Sequence, residues 1–217
     1  LSDSSTGQYL RISVKNESPK AEGQDPGYVS STLHNKVKEN DVIELSAPTG
    51  NFFLFNPEKT NVLISAGIGL TPMMAMLNQL LTGNTDPNEK VTLWEKIKAN
   101  FNKPEPKNPI NFIHAVRNSR VHAMKETVQD LAKKHDNLNV FVAYEQTDSK
   151  DVLGRDYHAE GRLNLKQLDA KMLPKDADYY LCGPIPFMQV QHKALLELGI
   201  PAQNIHSEAF GTGGVAL

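Results

Sequence analysis

The stretch NVLISAGIGLTPMMAML, residues 61–77, decides how the chain is read. An apolar run reaches Ser65, passes Gly67 and Gly69, meets Thr71 and Pro72, and resumes with methionines. The run predicts a strand buried on both faces. The glycines mark its turn into a helix, where residues without a Cβ let a ligand approach the backbone closely. Thr71 suits the helix N-cap and Pro72 the first helical position. The N–H groups and dipole at such a helix start favour a pyrophosphate. A tight strand-to-helix turn without a ligand leaves the same signature. The third glycine of the G-x-G-x-x-G fingerprint is absent, and Thr-Pro follows instead.

Outward from this stretch, NVLISA (61–66), INFIHAV (110–116), NVFVAY (139–144), DYYLCG (178–183) and NIHSEAF (204–210) read as strands. Amphipathic helices alternate with them, one showing Val121, Met124, Val128 and Leu131 on a face, another Phe187, Gln191, Leu195 and Leu198. Strands alternating with helices predict a parallel sheet with crossover helices. Before residue 58 the pattern differs. Residues 8–14 and 41–46 alternate like strands, and residues 27–37 space Val29, Leu33 and Val37 by four, as in a short helix. The expected division is therefore residues 1–57 and 58–217. Residues 82–109 are polar, Pro-bounded and too long for a simple connection. Trp94, Ile97 and Phe101 within them line one side of a short helix that packs on the domain or docks a partner.

The 217 residues are 39% hydrophobic and 22% charged, with a net charge of -2, an ordinary balance for one to two domains with a sizeable core. Scattered basic residues leave no footprint for nucleic acid. A single cysteine, Cys182, excludes an internal disulfide and a cysteine-built zinc site, which suits a reducing, cytoplasmic compartment. The opening LSDSSTGQYL has no signal-peptide pattern. The only membrane-like run, residues 62–77, is shorter than the ~20 residues a span needs and is broken by Gly67, Gly69 and Pro72, so no membrane partner is expected.

A second strand-to-helix turn, YYLCGPIPFM (179–188), repeats the logic with Gly183, Pro184 and Pro186. Ligands of an open α/β sheet lie at the carboxyl ends of its strands, so both turns can face one crevice. Cys182 is either a nucleophile or a small buried, cofactor-facing thiol; no Cys-His pair supports the former. In HAVRNSR (114–120), Arg117 and Arg120 either meet a 2′-phosphate or lie in solvent. The histidines show no metal-type spacing, and no metal is expected. Neither a G-x-S-x-G elbow nor a P-loop is present.

The motifs PGYVSSTLHNKV, APTGNFF, SAGIGLTPMMAML, FIHAVRNSRVHAM, YYLCGPIPFM and NIHSEAFG run in one order over nearly the whole chain. Together they resemble the ferredoxin-NADP reductase superfamily, and within it the reductase part of the flavohaemoglobins, the nitric oxide dioxygenases. The resemblance implies an NAD(P)-binding α/β domain over residues 58–217, preceded by the last part of an antiparallel β-barrel FAD-binding domain over residues 1–57. It implies FAD and NADH or NADPH as cofactors, with hydride passing from nicotinamide to flavin and electrons onward to a haem globin domain. Gly27, Val29 and Ser30 match the segment holding the flavin diphosphate. Gly67, Ile68, Gly69, Leu70, Thr71 and Pro72 match the nicotinamide dinucleotide loop, and Cys182, Gly183 and Pro184 the turn beside the nicotinamide. Glu208 matches a carboxylate near the flavin, and Ala209, Phe210, Gly211 and Thr212 a segment whose aromatic, here Phe210, covers the isoalloxazine. Cys182, Glu208 and Thr71 are the residues expected at the reacting rings, with Arg117 beside the dinucleotide. The family's Arg-x-Tyr-Ser flavin motif, its first barrel strands and its globin would all precede Leu1, so a fragment is expected.

Overall fold

A computed structural model describes residues 2–3, 9–17, 19, 23, 25–46, 49–82 and 108–209. Strands β1 (Thr60–Ala66), β2 (Ile110–Val116), β3 (Leu138–Tyr144), β4 (Ala159–Glu160), β5 (Ala177–Gly183) and β6 (Ile205–Ala209) form one sheet, ordered β4-β3-β2-β1-β5-β6. Every neighbouring pair is parallel. The strand order reverses direction beside β1, which is where an open parallel sheet opens a crevice at its carboxyl edge. The long strands fall where the apolar runs predict them. The two-residue β4 carries no apolar run of its own, and pairing with β3 alone defines it.

Alternation along the central strands builds two cores. Leu63, Phe112 and Tyr180 face helix α2 (Leu70–Thr82), through Met73, Met74 and Leu77, and helix α3 (Lys125–Lys134), through Val128. Val62, Ile64, Tyr179 and Leu181 face helix α4 (Ile185–Glu197), through Met188 and Leu195. Each fully buried Leu or Ile contributes about 1.5–3 kcal/mol, and β5 is buried along its whole length. At the amino edge, Asn111 donates to the Lys171 and Met172 carbonyls and accepts from Asn139. These bonds satisfy the buried Asn111 amide at that edge.

Several expectations need correction. Residues 9–14 and 41–46 form no strand among the described residues. Their alternation provides an apolar face, but a strand also needs a neighbour to satisfy its N–H and C=O groups. Leu10, Ile12, Ile43 and Leu45 accordingly remain exposed. Helix α1 (Tyr28–Asn35) forms where residues 27–37 suggest it, yet buries no residue, and Val37 lies beyond its end. Helix α3 starts after Met124, which has φ 55°, while Val121 sits in a preceding 3₁₀ turn and is exposed. Leu195 and Gln191 of the other predicted stripe are buried on α4. Trp94, Ile97 and Phe101 lie outside the described residues.

Candidate dinucleotide site at the carboxyl edge

Beyond β1 the chain makes a 3₁₀ turn, Gly67–Gly69, that runs directly into α2 at Leu70. Thr71 is therefore inside the helix rather than its N-cap. Its hydroxyl donates to the Ile68 carbonyl at 3.1 Å and locks the turn. Pro72 stands third in the helix, still within the first turn, where a missing N–H breaks no helical bond. The 3₁₀ turn shifted the start because its own hydrogen bonds, from Leu70 N–H to Gly67 and Ile68, supply a cap without a side chain.

The glycines do different work. Gly67 has φ 55°, and a Cβ on it would meet no atom within 4 Å; this is the left-handed position with an open side. Gly69 is buried, and a Cβ there would collide with the Cys182 carbonyl oxygen and stand 2.7 Å from the Gly183 nitrogen. The absent Cβ at Gly69 thus makes room for protein backbone, which corrects the expectation that a ligand uses both gaps. Gly183 completes the fit: a Cβ there would lie 3.2 Å from the Ala66 nitrogen. The two strand-to-helix turns interlock, glycine against backbone.

Two crevices flank this junction. One, of about 420 Å³, is lined by Gly67, Arg117, Pro184, Phe187, Leu163 and Gln191, among others. The other, of about 620 Å³, is lined by Gly50, Phe52, Pro72, Met76 and Glu208, among others. Glu208 sits opposite Cys182 in the parallel register, and Ala209 opposite Gly183. Residues beside the junction thus line both crevices, Gly67 and Pro184 the first and Pro72 and Glu208 the second, and the junction is the wall they share.

Charge is placed unevenly. Arg117 lines the first crevice, whereas Arg120 is held by Asp148 at 2.8 Å and lines neither. Arg162 and Glu145, 3.9 Å apart, also line the first crevice. Arg162 was not foreseen, because no motif surrounds it and β4 pairing alone brings it there. Cys182 is fully buried, and burial, reinforced by the Glu208 charge, pushes its thiol up to about 12. The thiol stays protonated near neutral pH, so the nucleophile alternative lacks its thiolate. Ser30 is occupied by its own chain: its hydroxyl accepts from Glu17 N–H and donates to the Gly27 carbonyl. Gly27, Val29 and Ser30 line neither crevice. Phe210, Gly211 and Thr212 lie outside the described residues.

A buried polar pair also escaped the sequence reading. Ser65, the register partner of both Cys182 and His114, bonds His114 Nδ1 at 2.8 Å. Burial, aided by neighbouring His122, lowers His114 to about 3, and burial lowers His122 to about 4. His122 Nδ1 meets the Tyr144 hydroxyl at 2.8 Å. Both rings are neutral at pH 7. No cluster of three metal-ligating side chains occurs among the described residues, and none of their helices is long and apolar enough to cross a membrane.

Residues 63–193 match the family model described as "Oxidoreductase NAD-binding domain". The chain is 45% identical over 214 residues to the "Flavohemoprotein" of Chromobacterium violaceum, covering 98% of this chain and 47% of that one. It is 44% identical over 208 residues to the "Flavohemoprotein" of Bordetella pertussis, covering 95% and 46% respectively. The chain thus spans about half the length of the curated relatives it matches. Among solved structures, the flavohem-like FAD/NAD binding domain of nitric oxide dioxygenase from Vibrio cholerae O1 biovar El Tor superposes with a TM-score of 0.75 at 36% identity. That match covers 98% of this chain and 76% of that one. With the parallel sheet, the interlocked glycine turns and these likenesses together, the chain belongs to the oxidoreductase NAD-binding domain family, in its flavohemoprotein branch.

Proposed function

We propose that this chain is an NAD(P)H-dependent flavin reductase module, binding the dinucleotide along the first crevice and FAD in the second, with the nicotinamide reaching past the junction between them to touch the flavin. The observation that supports it is the shared wall: Gly67 and Pro184 line one crevice, Pro72 and Glu208 the other, and the Gly69–Cys182 junction joins them. On this reading residues 58–217 form the NAD(P) domain and residues 1–57 part of the FAD domain.

The residues fit both groups. The open, left-handed Gly67 admits a pyrophosphate to the backbone, and Arg117 offers charge beside it. Apolar Phe52, Leu54 and Met76 suit a flavin ring in the second crevice, with Glu208 at its edge. When bound, the nicotinamide would supply a hydride and the flavin would accept it and release electrons singly. The chain's part is positional. Gly69 and Gly183 let the two turns pack backbone to backbone, Thr71 fixes its turn, and the protonated Cys182 thiol adds bulk without charge. Glu208 provides a carboxylate next to the flavin side. Orientation of this kind is worth several orders of magnitude in rate. By the same reading the module works in the cytoplasm, and as part of a nitric oxide dioxygenase its partner is a globin domain.

A second reading has its own observation. Residues 9–14 and 41–46 line the flavin-side crevice or adjoin it without strand pairing, and Leu10, Ile12, Ile43 and Leu45 remain exposed. This favours weak flavin retention, so that the 217-residue chain binds dinucleotide with little turnover. The deciding experiment records flavin absorbance and NADH oxidation with an artificial acceptor, for this chain and for one extended by the preceding flavin-domain segment of a relative. Turnover in the extended form supports the module; no NADH oxidation in either form rejects it.

A further inference from the structure

We infer that Gln191 reads the adenine of the dinucleotide, accepting a hydrogen bond from its exocyclic amino group. This rests on the reading of the first crevice given above and deepens it. Gln191 stands on α4 in line with Met188 and Leu195, three residues before and four after, both fully buried against the sheet. An apolar side chain would fill that stripe without burying an amide. Gln191 is 3% exposed. Its Nε2 donates to the Leu163 carbonyl at 3.2 Å, while its Oε1 is buried with no partner among the described residues. A buried amide oxygen left over in this way is an acceptor without a donor, and such groups call for an explanation.

The crevice provides one. Gln191 lines it together with Phe187, Leu163 and Pro186, apolar walls suited to a flat ring, while Gly67 and Arg117 form its phosphate-binding part. A nicotinamide dinucleotide carries two flat rings with N–H₂ donors, the adenine and the nicotinamide carboxamide. The nicotinamide has to reach past the edge of the Gly69–Cys182 wall to the flavin, because a hydride moves only between rings in direct contact. Gln191 also lines an outer groove with Lys166, Lys193 and Glu197, which runs along α4 away from that wall. Its place is on the adenine side.

The test measures binding of NAD⁺, of nicotinamide hypoxanthine dinucleotide, which lacks the adenine amino group, and of 3-acetylpyridine adenine dinucleotide, which lacks the carboxamide N–H₂. Calorimetric titrations use the full chain and its Gln191→Met variant, a substitution of similar volume. The unsubstituted protein should bind the hypoxanthine form about tenfold more weakly than NAD⁺ and the acetylpyridine form within about twofold. Gln191→Met should bind NAD⁺ and the hypoxanthine form equally. Equal binding of NAD⁺ and the hypoxanthine form by the unsubstituted protein overturns the inference, and this result stands even if the variant does not fold. Discrimination retained by Gln191→Met, or a loss confined to the acetylpyridine form, also overturns it. If the unsubstituted protein binds none of the three, the reading of the crevice fails first and the inference with it.

Discussion

Gly69 lies so close to Cys182 that a Cβ on the glycine would be 2.5 Å from the cysteine carbonyl carbon. The turn after β1 and the turn after β5 are packed so closely here that no neighbouring side chain could relieve the clash by rotating, since all three atoms that Cβ would meet belong to backbone. Gly69→Ala should therefore destabilise the fold by about 3 kcal/mol or more, through forced overpacking. Gly67→Ala, which faces open space, should cost only the left-handed conformation, about 1–2 kcal/mol. Urea unfolding midpoints of the two variants check the order. A Gly69→Ala protein as stable as the unsubstituted chain would remove the interlock from the account.

The two arginines after β2 separate in the same crevice geometry. Arg117 lines the dinucleotide crevice and Arg120 is tied to Asp148. Arg117→Ala should weaken NADPH binding about tenfold, about 1.4 kcal/mol, with a smaller effect on NADH. Arg120→Ala should leave both affinities within twofold, and NADH should serve at least as well as NADPH. Titration of each variant with both dinucleotides distinguishes them, and a larger loss from Arg120→Ala would reverse the assignment.

How far the sequence carries differs by element. The strands NVLISA and DYYLCG are legible because β1 and β5 are buried on both faces, so nearly every residue must be apolar. The division of labour between Gly67 and Gly69 is not legible. It depends on Cys182 and Gly183, brought alongside only by the pairing of β1 with β5. The start of α2 was misplaced because Thr71 and Pro72 carry an N-cap signature, while the hydrogen bonds of the Gly67–Gly69 turn begin the helix earlier. Residues 9–14 show the converse error: alternation describes one face of a strand and says nothing about whether a neighbour exists to pair with it.

His114 sets the acid side of stability. Its folded-state value, about 3, lies below the ordinary 6.5, so the unfolded chain takes up the proton first. Stability should fall as pH drops from 6.5 towards 4, by at most about 1.4 kcal/mol per pH unit for this ring, with His122 acting in the same direction. Asp156, depressed mainly by Arg155, loses its contribution only below the ordinary carboxylate value of 3.8, outside that window. Urea unfolding of the chain and of His114→Gln at pH 7 and pH 5 checks the slope, which the variant should flatten. An unchanged slope would show that His114 is not the titrating group.

The Cys182 thiol should resist alkylation. Buried and held protonated, it should react with iodoacetamide at pH 8 at least a hundredfold more slowly in the folded chain than in urea, a loss of access and thiolate together. Mass spectrometry of the quenched protein reads the rate. Equal rates would place the thiol in a crevice rather than in the wall.

The shared wall is tested most directly by following the visible absorbance of protein-bound FAD after anaerobic addition of NADH, in the flavin-extended chain and in its Gly67→Val variant. The geometry predicts rapid bleaching in the former, and in the latter undiminished FAD binding with bleaching slowed at least tenfold, because the branched side chain enters only the first crevice. Equal bleaching rates in the two proteins, or no bleaching of FAD-loaded protein that demonstrably binds NADH, would contradict the reading that the dinucleotide enters along Gly67 and meets the flavin past Gly69 and Cys182.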